Sequence, residues 1–344
     1  MRLGMKRQSD AQRNASIARR WLAATTTLLL LAVPAGVWYW REIATPKPEL
    51  RFAFNSYPGS LPPVLAEQLG YFRGGACKIT LVQDNEHADA FGRFASGVYS
   101  GITTTLGSAI ASTAVIPQAR IVYLKDESSG ADVVLADRSI RSLGELRGKK
   151  VGVMIGDFGE FWLGRLLARA GLSLDEVEVV HTTGSKVPER IRGGEIVAGH
   201  TWSPYREEGL ALGQVEIATT ASDPLTIVDV VLMNGDLLAT EPECARHFLR
   251  GWSEAVVFWR RHPNEAVRLL KQALPHATSL SLEGITLLDM QESAERMRLE
   301  RLDELMRAHA VFYRMRGVAV PEAGLAQLLD RRPVEDLLME KRHP

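Results

Sequence analysis

An α/β protein of two lobes, preceded by a transmembrane or signal-anchor helix and followed by a helical C-terminal tail, is the architecture that this 344-residue sequence predicts. Three observations carry the prediction. Short apolar runs alternate with helical periods from Leu50 onward, the cycle restarts near Ile140, and a basic leader precedes a long stretch without charge.

The leader is residues 1–20, with Arg2, Lys6, Arg7, Arg13, Arg19 and Arg20 against the single acid Asp10, and such a flank stays cytoplasmic. Residues 21–40 carry no charge and, at about 1.5 Å per residue, span about 30 Å, the thickness of a bilayer core. Trp21 at one end and Trp38, Tyr39 and Trp40 at the other suit the two membrane interfaces. Val33-Pro-Ala35 is a poor cleavage site and no cysteine follows it for a lipid anchor. An uncleaved anchor in the inner membrane is therefore expected, with residues 41–49 as an extended linker and the rest on the periplasmic or extracytoplasmic side.

Leu50–Phe54 reads as a strand, Asn55-Ser-Tyr-Pro-Gly59 as a turn, and Pro62–Phe72 as a helix favoured by proline in its first turn. A strand at Lys78–Val82, a helix at Phe91–Ala95 and strands at Gly101–Leu106 and Arg120–Leu124 complete a β-α-β-α-β order, which predicts a parallel sheet covered by helices. After Ile140 come strands at Val151–Ile155 and Val177–Val180, a helix at Val187–Arg192 and a strand at Ile196–Thr201, and a further strand follows at Ile227–Met233. The expected divisions are 50–138 for the first part of lobe I, 139–228 for lobe II, and 229–344 for the return to lobe I with the terminal helices. A ligand site is expected between the lobes.

In the tail, Thr240-Glu-Pro-Glu243 has the spacing of a capping box, followed by Cys244, Phe248, Trp252, Ala255, Val256 and Trp259 on one helical face. A second helix, from about Glu292 to Tyr313, has Leu302, Leu305, Met306, His309 and Phe312 as its buried stripe. These stripes are core, and the Arg/Glu alternation beside them is a solvated face.

A formal net charge of zero gives no field to attract nucleic acid. The two cysteines, Cys77 and Cys244, show no metal-ligand or redox spacing; a disulfide and two independent buried thiols are both open. His181 and His200 are isolated and read as structural histidines. No cofactor, metal or catalytic constellation is expected.

Several strings resemble, in order and spacing, the periplasmic solute-binding proteins of the nitrate, sulfonate, taurine and thiamine-pyrimidine transport group (NMT1/THI5-like). They are Leu65-Ala-Glu-Gln-Leu-Gly-Tyr-Phe72, Ser96-Gly-Val-Tyr-Ser-Gly101, Ser128-Ser-Gly-Ala-Asp132, Leu143-Gly-Glu-Leu-Arg-Gly-Lys-Lys-Val-Gly152, Arg192-Gly-Gly-Glu-Ile-Val-Ala198 before Trp202-Ser-Pro204, and Ser222-Asp-Pro before Asp229. The resemblance implies a type II periplasmic-binding-protein-like fold that closes on a small ligand and performs no chemistry on it. It also implies delivery to an ABC permease with its ATPase, and crossings between lobes near Ala136–Arg141 and Asp223–Val230. An uncleaved anchor also fits a tethered sensor that signals to a partner. Pyrimidine-synthesising enzymes of the same fold rely on a cysteine-rich motif that this chain lacks. The chain departs from the group at Tyr99 and Ser100, which replace an acidic position.

Candidate ligand contacts lie at strand ends, where open α/β sheets bind ligands. In lobe I they are Asn55, Ser56, Tyr57, Thr104 and Thr105, with Ser128, Ser129 and Asp223 at the crossings; in lobe II they are Asp157, Phe158, Glu160 and Trp202. Asp157 and Glu160 follow a strand and a glycine turn at a helix start. Either they cap their own helix, or one of them pairs with a cationic ligand group. Both readings disfavour a simple anion there, and sulfonate-, amine- and pyrimidine-like ligands stay open.

Overall fold

The computed structural model describes residues 47–342 except Glu86, residues 223–225 and Thr278. The expected leader, membrane span and most of the linker lie outside the described residues, as does Asp223. No described helix is long and apolar enough to cross a membrane.

The elements run β1 (Glu49–Phe54), α1 (Pro62–Gln68), β2 (Lys78–Gln83), α2 (His87–Ala95), β3 (Gly101–Thr105), α3 (Leu106–Ala111) and β4 (Ala119–Ser128). There follow β5 (Asp132–Ala136), β6 (Lys150–Val153), α4 (Phe158–Arg169), β7 (Glu178–His181), α5 (Val187–Arg192), β8 (Ala198–Trp202), α6 (Tyr205–Ala211) and β9 (Val215–Thr219). The chain ends with β10 (Val228–Asn234), α7 (Gly235–Thr240), α8 (Pro242–Arg261), α9 (Pro263–Ala273), β11 (Ile285–Leu287), α10 (Met290–Met297), α11 (Glu300–Met315), α12 (Glu322–Leu328) and α13 (Arg332–Arg342).

Two sheets result, ordered β11-β4-β10-β3-β1-β2 in lobe I and β7-β6-β8-β5-β9 in lobe II. Neither is wholly parallel, which corrects the expectation. β10 enters lobe I between β3 and β4 and pairs antiparallel with both, and β5 pairs antiparallel with β8 and β9. β5 and β10 each follow a passage between lobes, so their direction is set by where the chain arrives, and the short β11 also runs antiparallel to β4. The first passage is Ser129–Ala131, between β4 and β5, ahead of the stretch where it was expected.

The core of lobe I forms where α8 lays its apolar face on the sheet: Phe52 sits 4.5 Å from Phe248 and 5.9 Å from Trp252 between ring centroids. Cys244, Phe248, Trp252, Ala255, Val256 and Trp259 are all buried, as the helical period requires. Thr240, at the end of α7, does not cap α8; its hydroxyl donates to the Asp236 carbonyl in the first turn of α7. Cys77 and Cys244 are joined in a disulfide with 5.4 Å between Cα atoms, which decides between the two open readings.

The single tail helix expected from Glu292 to Tyr313 is two helices, α10 and α11. Asp289 and Glu292 form the capping box that starts the first. Leu302, Leu305, Met306 and His309 are buried as expected on α11, whereas Phe312 is half-buried and Tyr313 takes the deeper place.

His309 donates from Nδ1 to the Leu305 carbonyl, and its ring centroid lies 3.8 Å from that of Phe161. Burial pushes its pKa down to about 4 from the usual histidine value, against the pull of that hydrogen bond. A depressed folded pKa gives stability that is full above the unfolded value of about 6.5 and is lost as pH falls through the folded one. His309→Gln is expected to reduce the loss of unfolding free energy between pH 7 and pH 4.5 by roughly 2–3 kcal/mol, read by urea titration at both pH values.

Candidate functional site

Two sheet edges face each other. In lobe I the C-terminal ends of β1, β3 and β4 and the start of β10 share one edge; in lobe II the ends of β6 and β8 and the start of β5 share the other. Both passages between lobes leave from these edges.

On the lobe I side the turn after β1 is closed by its own polar groups. Asn55 accepts from the Tyr57 N–H, and Ser56 is tied through its N–H and hydroxyl to Asn85. Tyr57 lies over Lys125, 4.9 Å from Nζ to ring centroid, and its hydroxyl reaches Asp126 Oδ1 at 3.4 Å. Thr105 caps α3 by accepting from the Ser108 N–H. Thr104 is buried, and its hydroxyl has no hydrogen-bond partner among the described residues.

Under Tyr57 is a charged cluster that the sequence reading did not find. Asp229 on β10 stands opposite Asp126 on β4, while its neighbour Val230 stands opposite Leu124, so Lys125 is the extra residue of a β-bulge. The bulge lets Lys125 Nζ reach Asp126 at 2.6 Å and Asp229 at 3.0 Å. Lys125 and Asp126 are 1% exposed, and Asp229 is 13% exposed. Burial lowers the lysine pKa, but the two carboxylates outweigh it and hold it above its usual value. Burial also raises both carboxyls, and Asp229 is pushed up to about 7, with Asp126 beside it adding to the rise and Lys125 opposing it.

On the lobe II side Asp157 caps α4, accepting from the Phe158 N–H at 2.8 Å, and Glu160 accepts from the Gly156 N–H at 2.7 Å. The carboxylates thus bind backbone donors at the start of their own helix. Trp202 is half-buried within an aromatic group, its ring centroid 6.1 Å from Phe158, 5.4 Å from His200 and 6.3 Å from Tyr205. His200 meets Asp132 at 2.8 Å across β8 and β5, which satisfies a buried imidazole as a structural histidine requires.

The lobes touch directly. The Ser108 hydroxyl at the start of α3 donates to Asp157 at the start of α4. Arg316, after α11, pairs with the fully buried Glu160 at 2.6 Å. A Cβ on Gly107 would fall 2.7 Å from Phe158 Cβ and 2.7 Å from the Tyr313 hydroxyl, so glycine is what permits this approach. Ser128 ends β4 and Ser129 begins the passage. The Ser128 hydroxyl meets that of Thr220 at 2.7 Å and accepts from the Asp132 N–H, and the Ser129 hydroxyl meets that of Thr286 at 3.1 Å.

Of the expected contacts, Asp157 and Glu160 come together with Ser108 and Arg316, and Phe158 comes together with Trp202; Tyr57 joins the charged cluster. Asn55, Ser56, Thr105, Ser128 and Ser129 serve turns, a cap and the passage. Lys125 and Asp126 gave one signal in sequence: two adjacent charges continue an otherwise apolar strand.

A family model described as NMT1/THI5 like matches residues 58–266. A protein of Brucella abortus whose name proposes a binding role is 27% identical over 150 residues, 42% of this chain and 46% of that one, so the chain spans about half the length of this relative. A Legionella pneumophila protein named 4-amino-5-hydroxymethyl-2-methylpyrimidine phosphate synthase is 24% identical over 63% of this chain and 71% of its own. The periplasmic aliphatic sulphonate binding protein SsuA from Escherichia coli superposes with a TM-score of 0.68 at 18% identity, covering 83% of this chain and 93% of that one.

Proposed function

The chain belongs to the NMT1/THI5-like family, and from that membership and the two facing sheet edges we propose that it is an extracytoplasmic solute-binding protein of an ABC importer. It takes a small organic ligand between the lobes, and residues 21–40 hold it at the inner membrane. The observation that carries the reading is the direct interlobe contact, Ser108 on Asp157 and Arg316 on Glu160, made at the C-terminal edges of both sheets.

Within the ligand classes left open, the geometry favours a planar, N–H-bearing amine or pyrimidine over a sulfonate. The helix start that would attract an anion is already engaged by Asp157 and Glu160, while Trp202 and Phe158 offer rings for stacking. Thermal-shift screening of the full chain tests this. A ligand at about 100 times its Kd stabilises by about 2.7 kcal/mol, and the expected hits are aminopyrimidines or amines. A hit confined to sulfonates would overturn the ligand class, and no hit across amines, pyrimidines and sulfonates would count against the function.

The Legionella relative favours a second reading, an enzyme of pyrimidine synthesis. Against it, the two cysteines of this chain are engaged with each other in a disulfide, which offers no thiol for a cysteine motif. A chemically changed product after incubation with a bound pyrimidine would decide for the enzyme.

A further inference from the structure

The two passages between lobes are held by one charged cluster whose charges do not balance. Asp126 lies two residues before the end of β4, where the first passage begins, and Asp229 lies at the second position of β10, where the second passage ends. They stand opposite each other across the strands with the ammonium of Lys125 between them. Two carboxylates thus share one buried lysine.

Among the described residues, the groups around Asp229 do not supply a second positive charge. From β4 it faces Lys125 and Asp126, while the next residue, Glu127, is taken by Arg296 at 2.7 Å. β3 places the neutral Thr105 opposite it. The turn after β1 contributes the phenol of Tyr57, and β5 contributes a third carboxylate, Asp132, bonded to His200. A buried carboxylate beside another, with one cation for the two, is neutralised most cheaply by a proton.

We propose that this cluster is a proton-linked hinge, in which bringing the lobes together takes up one proton on the Asp126–Asp229 pair and separating them releases it. The inference rests on the reading that the lobes move relative to each other. Separation would strain the passages beside the cluster and admit water to Asp229, its most exposed member, whose carboxyl would then return toward the ordinary aspartate range. The raised value near 7 agrees with a proton held in the contact form. Because the folded contact form has the higher pKa, that form is favoured below it and loses ground as pH rises through it. The linkage also gives a delivery signal: ligand is held more tightly in an acidified compartment and released more readily above neutral pH.

Pulsed electron paramagnetic resonance on the full chain tests this without any ligand, with spin labels on Lys149→Cys in lobe II and Lys271→Cys in lobe I, both exposed positions. The ratio of contact to separated populations is expected to fall by up to about tenfold per pH unit between pH 5 and 7 and to level off above the contact-form value near 7. Asp229→Asn, which mimics the protonated carboxyl, should hold the contact population constant over that range, and Asp126→Asn, which removes the surplus charge, should do the same. A wild-type distribution unchanged from pH 5 to pH 8 overturns the hinge, even if a ligand from the thermal screen brings the lobes together. A pH response in the wild type that both variants abolish supports it, even if every ligand in the screen fails and the transport reading falls.

Discussion

Lys125→Met is expected to destabilise the protein by about 3–5 kcal/mol at pH 8, where removing one partner of a buried ion cluster leaves carboxylates without compensation. The methionine fills the space of the lysine stem, so the loss comes from charge and not from a cavity. At pH 5.5 both carboxyls hold protons more readily, because burial already raises them, and the loss should shrink to less than half. Asp126→Asn in the Lys125→Met background should recover part of the stability at pH 8. Urea unfolding of the wild type, the single variant and the double variant at the two pH values checks this. An equal loss at both pH values would mean that packing, and not charge, is what Lys125 supplies.

Opening the Cys77–Cys244 bridge is expected to cost about 5 kcal/mol. The bridge spans 167 residues, and both half-cystines are buried, so it closes a long loop around β2 to β10 and fastens α8 to the segment before β2. Long loops lose the most chain entropy on closure, and the double variant Cys77→Ala/Cys244→Ala removes that constraint from the unfolded state. The free energy from urea titration of the oxidised wild type, compared with the double variant, gives the number. A difference below about 1 kcal/mol would show that residual structure in the unfolded chain already holds these segments together.

Apolar periodicity made most of the fold legible, because one face of each strand or helix must be buried. Leu50–Phe54, Lys78–Val82 and the α8 stripe all appear where the pattern placed them. Strand direction was less legible: nothing local in Asp132–Ala136 or Val228–Asn234 says that these strands run against their neighbours, since direction depends on which lobe the chain has come from. The same holds for Thr240, whose capping-box spacing is right but whose hydroxyl is used by the helix before it.

Within the site, the self-capping of Asp157 and Glu160 was among the readings that the sequence allowed, because caps are set by neighbours within four residues along the chain. Ser108 and Arg316, which meet them, lie on other elements and leave no local trace. The Lys125–Asp126–Asp229 cluster depends on a bulge and on a cross-strand register, neither of which a single sequence reveals.

The proposed function requires that a small organic molecule be held between the two lobes beside Trp202. Calorimetric titration of the full chain with the strongest stabilising amine or pyrimidine, run on the wild type and on Trp202→Leu, tests it most directly. One ligand per chain is expected in the wild type, with at least tenfold weaker binding in the variant. Equal affinities in the two proteins would place the ligand elsewhere and contradict it.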